Sequence, residues 1–187
     1  MITIRKELLI GNELPPTFGG ASGRGAEDLL EKLGINIDRR GTYDIPFFNL
    51  EVKTRDLNAT SPQTVGSMTA KNIIKTPYSK SVVYKKFQHQ LRIKTKYDVI
   101  VSAEIYDFSP WQIQQLIEEA YEAGRKKMIQ LSTEGWAIPD WVTGTKWGNF
   151  ERVNKNSNSW HFRINHDRME ELENMATSMF NNFFEVA

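Results

Sequence analysis

DIPFFNLEVKTRD, residues 44–56, sets two acids, Asp44 and Glu51, and a lysine, Lys53, into a run of aromatic and branched residues. Pro46 and Asn49 fall in the middle of TYDIPFFNLEVKT. Both favour turns, so the stretch is predicted to form two short strands joined by a tight turn. Side chains alternate along a strand, which puts Glu51 and Lys53 on one face and Leu50 and Val52 on the other. The turn folds Asp44 back beside them, so two carboxylates and one ammonium are expected to converge at one end of a sheet. Two carboxylates this close repel unless a cation lies between them, and oxygen ligands that leave room for water suit Mg²⁺. Such an ion lowers the pKa of a bound water and stabilises charge growing on a phosphate, and a lysine can position that water. The trio fits phosphodiester hydrolysis. An exposed strand carrying cross-strand ion pairs would look the same in isolation, so the flanking sequence decides between them.

Upstream, SGRGAEDLLEKLGI (22–35) opens with small residues and continues with Leu29, Leu30 and Leu33 at helical spacing before Gly34. This predicts a short amphipathic helix after a glycine-rich loop. Downstream, TSPQTVGSM (60–68) reads as a polar loop whose Ser, Thr and Gln could meet base edges, and KYDVIVSAEIY (96–106) as a buried strand. Ser109 and Pro110 are expected to cap a long helix over 111–131, with Arg125, Lys126 and Lys127 near its end as the helix dipole favours. GWAIPDWVTGTKWGNF, with Trp136, Trp141 and Trp147, reads as a Gly- and Pro-containing loop in which the tryptophans pack. WGNFERV and SWHFRIN flank NKNSN as a hairpin, and DRMEELENMATSMFNNFF (167–184) is predicted as a closing helix. Helix, strands, helix, strands, helix is the order of a mixed α/β domain.

The 187 residues, 40% of them hydrophobic, suit one domain spanning 1–187. No apolar run reaches the roughly 20 residues of a membrane span, and the opening MITIRKELLIGNELPP lacks an apolar export core, so a cytoplasmic protein is expected. With no cysteine, disulfides and thiolate metal sites are excluded, and any metal must take oxygen or imidazole ligands. The three scattered histidines lack the spacing of a zinc site.

The net charge of +1 hides an uneven distribution. Leu57 to Tyr97 contains no acid but carries Lys71, Lys75, Lys80, Lys85, Lys86, Arg92, Lys94 and Lys96. Clustered cations are the footprint of phosphate-backbone binding, and we expect this segment to form a basic face. His89 lies within it and is expected as an exposed helical residue that such a face could enlist. His161, between Trp160 and Phe162, is expected half-buried on a strand, and His166 at the start of the closing helix.

Asp44, Glu51 and Lys53 form a D-x(n)-E-x-K signature, and GRGAEDLLEKLGI supplies Arg24, Gly25, Leu30, Glu31, Leu33, Gly34 and Ile35 ahead of it. Together they resemble the PD-(D/E)xK nuclease superfamily and, within it, the MutH-like group of mismatch-repair and restriction endonucleases (MutH, MvaI and BcnI types). The resemblance covers about residues 22 to 56 and is faint beyond. It implies a restriction-endonuclease-like core, a central mixed sheet flanked by helices. By position, Asp44, Glu51 and Val52 would hold Mg²⁺, and Lys53 would orient the attacking water. Glu31 would be the helix acid reaching the same centre, with Glu27, one turn earlier, its rival. Arg24 would contact a phosphate near the cut, and Arg55, Lys71, Lys85, Lys86 and His89 are the further DNA-binding candidates. The family's usual proline before the aspartate is replaced by Tyr43. The function implied is a Mg²⁺-dependent, sequence-specific double-stranded DNA endonuclease of type II restriction kind, expected as a monomer because no dimerisation pattern is seen. A mismatch-repair nickase, a structure-specific nuclease and a non-catalytic DNA-binding module are the alternatives.

Overall fold

The structure, a computed structural model, describes residues 6–15 and 22–178. In chain order the elements are α1 (Ser22–Lys32), β1 (Glu51–Asp56), β2 (Gln63–Thr69), α2 (Ala70–Lys75), α3 (Val82–Lys86), β3 (His89–Lys96), β4 (Val99–Asp107), α4 (Trp111–Thr133), β5 (Trp141–Thr145), β6 (Gly148–Arg152), β7 (Ser159–Ile164), α5 (His166–Met175) and β8 (Thr177–Ser178). They group into two compact units that alternate along the chain, one of residues 1–59, 88–107 and 176–187, the other of residues 60–87 and 108–175. Among the described residues, no helix is long and apolar enough to cross a membrane.

The first unit is built on a mixed sheet of order β1-β3-β4-β8, with β1 parallel to β3 and the other pairs antiparallel. Helix α1 lays Ala26, Leu29 and Leu30 into a core with Leu50, Val52, Leu91, Ile93 and Ile105. Burying each large aliphatic side chain contributes about 1.5–3 kcal/mol. The helix stops where predicted. Gly34 takes φ +87° and the Ile35 N–H returns to the Leu30 carbonyl at 3.0 Å, a left-handed cap that a side chain would strain. Its start differs from expectation, because the glycine-rich segment is already helical from Ser22, which puts Arg24 in the first turn and not in a loop. The predicted strand before the turn is also absent. Pro46–Phe48 winds into a single 3₁₀ turn, Asn49 closes it at φ 51°, and only Ile45 and Leu50 pair across it. Proline fixes φ and gives no donor, so no ladder can extend from it. β3 and β4 join through Tyr97 and Asp98, both at positive φ, in a two-residue hairpin turn.

The second unit is an antiparallel sheet of order β2-β7-β6-β5. α4 buries Ile113, Ile117, Ala120, Tyr121 and Met128, and the Tyr121 and Phe162 rings each lie 5.2 Å from Phe150. Gly124 permits this approach, since a Cβ there would stand 2.7 Å from the Phe150 ring. Pro110, and not Ser109, holds the position before the helix, and no side chain caps it. The predicted hairpin over 147–165 is β6 and β7, with Phe150 opposite Phe162. Of the polar stretch 60–68, only 60–62 is loop: from Gln63 on, with β-branched Thr64 and Val65, it forms β2, which pairs with β7 through a register shift between Thr64 and Gly66. Part of the tryptophan-rich stretch is likewise β5, pairing with β6. α2 and α3 are short helices capped by Thr69 and Ser81 hydroxyls. The closing helix is α5, which ends at Met175; residues 177 and 178 then pair with β4, and 179–184 of the predicted helix lie outside the described residues.

Candidate active site

Glu51 opens β1 and is only 2% exposed, although its strand neighbours Leu50 and Val52 take the core side. Two positions on, Lys53 emerges on the same face and its Nζ donates to Glu51 Oε1 at 2.7 Å. The turn at 45–50 brings Asp44 alongside: its Oδ2 accepts the Val52 N–H at 2.8 Å. The Asp44 carbonyl accepts the Asp38 N–H at 2.8 Å, and the Asp38 carboxylate in turn accepts the N–H groups of Arg40 and Gly41. The loop that delivers Asp44 is therefore stapled to itself as well as to the strand.

Helix α1 adds a row of acids. Burial pushes the Glu27 carboxyl above its ordinary value, the charge of Asp44 pushes it further, Arg39 opposes by charge and hydrogen bond, and Glu51 adds a smaller push. Glu27 is thus the helix acid that senses both Asp44 and Glu51. Glu31, the position the resemblance implies for that role, is held by Arg39, whose Nη1 and Nη2 lie 2.9 and 2.8 Å from its two carboxylate oxygens, and the same guanidinium places its Nε 3.2 Å from Glu27 Oε2. Positions four apart share one face of a helix, so the same guanidinium reaches both acids.

The DNA-contact candidates are scattered. Arg24 is exposed on the first turn of α1. Arg55 is 8% exposed and its Nη2 donates to the Ala59 carbonyl at 2.5 Å, so it sits inside the protein and not on a phosphate-facing surface. Lys71 and Lys85 are exposed and Lys86 half-buried, on α2 and α3 of the second unit. His89 is not helical: it begins β3, half-buried, with Nε2 3.3 Å from Asp107 Oδ1 across the ladder. The acid-free segment is consequently divided between the two units, and its Arg92 is buried at 3% exposure with Nη1 on Gln90 Oε1 at 2.9 Å. Gln90 and Arg92 are the ladder partners of Glu51 and Lys53 and share their face. Sequence reading did not mark Gln90 or Arg39, and it expected Arg92 on an exposed basic face where the structure buries it. The alternation of QLRIK, apolar at Leu91 and Ile93, was the signal for Gln90 and Arg92; nothing local marks Arg39. His161 and His166 stand where expected, on β7 and at the start of α5.

Among the described residues, no three His, Asp or Glu side chains are grouped as a ready metal cage. The donors nevertheless suit Mg²⁺, which is commonly held by one or two carboxylates and keeps water for the rest of its shell. Asp44 and Glu51 offer carboxylate oxygens, and Val52, whose side chain is in the core, has only its main-chain carbonyl to offer.

No family model matches the chain, and no curated protein matches it. Among solved structures, the restriction endonuclease MvaI in complex with its cognate DNA substrate is similar at 13% identity and a TM-score of 0.46, over 90% of this chain and 91% of that one.

Proposed function

We propose that this protein is a Mg²⁺-dependent endonuclease that hydrolyses phosphodiester bonds in double-stranded DNA, of the sequence-specific type II restriction kind. The observation that carries the reading is the convergence on the start of β1: Asp44 held to the Val52 N–H at 2.8 Å, buried Glu51, and Lys53 Nζ 2.7 Å from Glu51. Asp44, Glu51 and the Val52 carbonyl would hold the ion, which supplies charge neutralisation at the phosphate and a more acidic water. Lys53, steered by Glu51, orients the attacking water and meets negative charge on the phosphate. Glu31 or Glu27, one turn apart on α1 and both paired with Arg39, would supply the helix acid of this centre. Asp44, anchored through the Asp38 staple, keeps its carboxylate aimed along the strand without having to be ordered during the reaction.

A centre of this kind attacks one phosphate at a time. We therefore expect a monomer that converts supercoiled plasmid to open circle before linear product in Mg²⁺ and does nothing in EDTA. A plasmid time course with light scattering tests this. Duplex DNA that binds but stays intact in Mg²⁺ overturns the endonuclease reading; linear product with no open-circle stage from a dimer overturns only the monomer.

A further inference from the structure

We propose that Arg39 is a positioning residue for this centre: it ties helix α1 to the loop that delivers Asp44 and thereby sets Glu27 against Asp44 and Glu51. The inference rests on the endonuclease reading and deepens it. Arg39 lies in the connection between α1, which ends at Lys32, and Asp44. Its Nε stands 3.2 Å from Glu27 Oε2, its Nη2 2.5 Å from Asp28 Oδ1, and both terminal nitrogens reach the Glu31 carboxylate. One guanidinium thus holds three acids of one helix.

Stability alone gives little reason for this arrangement. The Arg39 side chain is 37% exposed, and ion pairs of such groups are worth little after solvent screening and side-chain ordering. What the contacts do determine is geometry. The segment from Arg39 to Asp44 is short and already closed by the Asp38 N–H on the Asp44 carbonyl. A grip on Arg39 therefore fixes where Asp44 sits relative to the helix that carries Glu27. The planar fork suits this, because it spreads its donors over three nitrogens to make these four contacts, whereas an ammonium presents three donors from a single atom. Its action on the centre runs through α1 and the loop, which the Asp38 N–H closes onto the Asp44 carbonyl.

The test is Mg²⁺ alone titrated calorimetrically onto the full chain, in wild type, Arg39→Ala and Arg39→Lys, with circular dichroism to verify folding. Positioning predicts that Arg39→Ala weakens Mg²⁺ binding roughly tenfold or more, the usual cost of losing a residue that orients ligands. Arg39→Lys should fall between the two. A purely electrostatic role has the opposite sign, since removing a positive charge near acids tightens cation binding. In cleavage assays the Arg39→Ala loss should fall on kcat more than on KM. Unchanged or tighter Mg²⁺ binding by folded Arg39→Ala overturns the inference; if Arg39→Ala does not fold, equal binding by Arg39→Lys and wild type overturns it. A wild type that neither binds Mg²⁺ nor cuts in it overturns the endonuclease reading itself, whereas a competent wild type matched by its variants sinks only the role of Arg39.

Discussion

The unit formed by residues 1–59, 88–107 and 176–187 draws ionisable groups inside: Glu51, Arg55 and Arg92 are each under 9% exposed, and Gln90 is buried between them in sequence. The unit formed by 60–87 and 108–175 fills its interior with rings, Tyr78, Phe87, Phe108, Tyr121, Phe150, Trp160 and Phe162, and Glu173 is its one buried charged residue among the described ones. Burying a charge costs several kcal/mol unless it is paired, while a buried ring contributes favourably with no such debt. In the first unit these groups are paired, Glu51 with Lys53, Arg55 with the Ala59 carbonyl and Arg92 with Gln90, and on the proposed function Glu51 is the one with a chemical use.

The largest effect expected is at the charged face. Lys53→Ala and Glu51→Gln should each lower the rate of duplex cleavage by about 10²–10⁴-fold. All five tryptophans lie in the ring-filled unit, so their fluorescence should not change in these variants. A loss under tenfold for Lys53→Ala would remove the lysine from the chemistry.

Core changes come next. Leu30 is fully buried in the first unit, and Leu30→Ala should cost about 2–5 kcal/mol in urea unfolding followed by circular dichroism. Gly124→Ala, which drives a methyl into the Phe150 ring, should cost about 1–3 kcal/mol in the second. Tryptophan fluorescence reports only the second unit, so reading the Leu30→Ala midpoint by both probes shows whether the two units unfold together.

Alkali should distinguish the units by a smaller margin. Burial pushes the Tyr121 hydroxyl up to about 12, with Glu122 adding and Arg125 opposing, and burial pushes Tyr78 up as well. Because the folded state keeps a proton that the unfolded state loses near pH 10, stability is full below about pH 10 and falls as pH rises toward 12. The slope is about 1.4 kcal/mol per pH unit for one tyrosine. Tyr121→Phe should flatten the decline seen by tryptophan fluorescence; an unaltered slope would mean that this hydroxyl is not held protonated.

The smallest effect concerns binding. Replacing Lys85 and Lys86 together by glutamine should weaken affinity for all duplexes alike and reduce the salt slope by up to about two. A loss confined to one sequence would place them at base edges instead.

The elements that were legible are those whose reason is local. Leu29, Leu30 and Leu33 with Gly34 mark α1 and its end, Val99 to Ile105 mark a strand, and the polar NKNSN between two alternating stretches marks the β6–β7 hairpin. Glu51 and Lys53 could be placed on one face because strand geometry has a period of two. β2 and β5 were misread as loops because their strand character comes from pairing with β7 and β6 rather than from their own Ser-, Thr- and Gly-rich composition. His89 was read as helical for the same kind of reason, since its place opposite Asp107 depends on a partner strand.

By itself, the sequence determined the alternation that separates Glu51 and Lys53 from Val52, the turn that returns Asp44, and the apolar stripe of α1, all consequences of backbone geometry over a few residues. Only the tertiary structure decided that Arg39 binds three acids of α1, that Gln90 and Arg92 lie opposite Glu51 and Lys53, and that the acid-free segment is split between two units. Those outcomes depend on how far a helix is rotated against a loop and on which strands pair across long stretches of chain. Such quantities are set by the packing of the whole core and leave no mark at any single position.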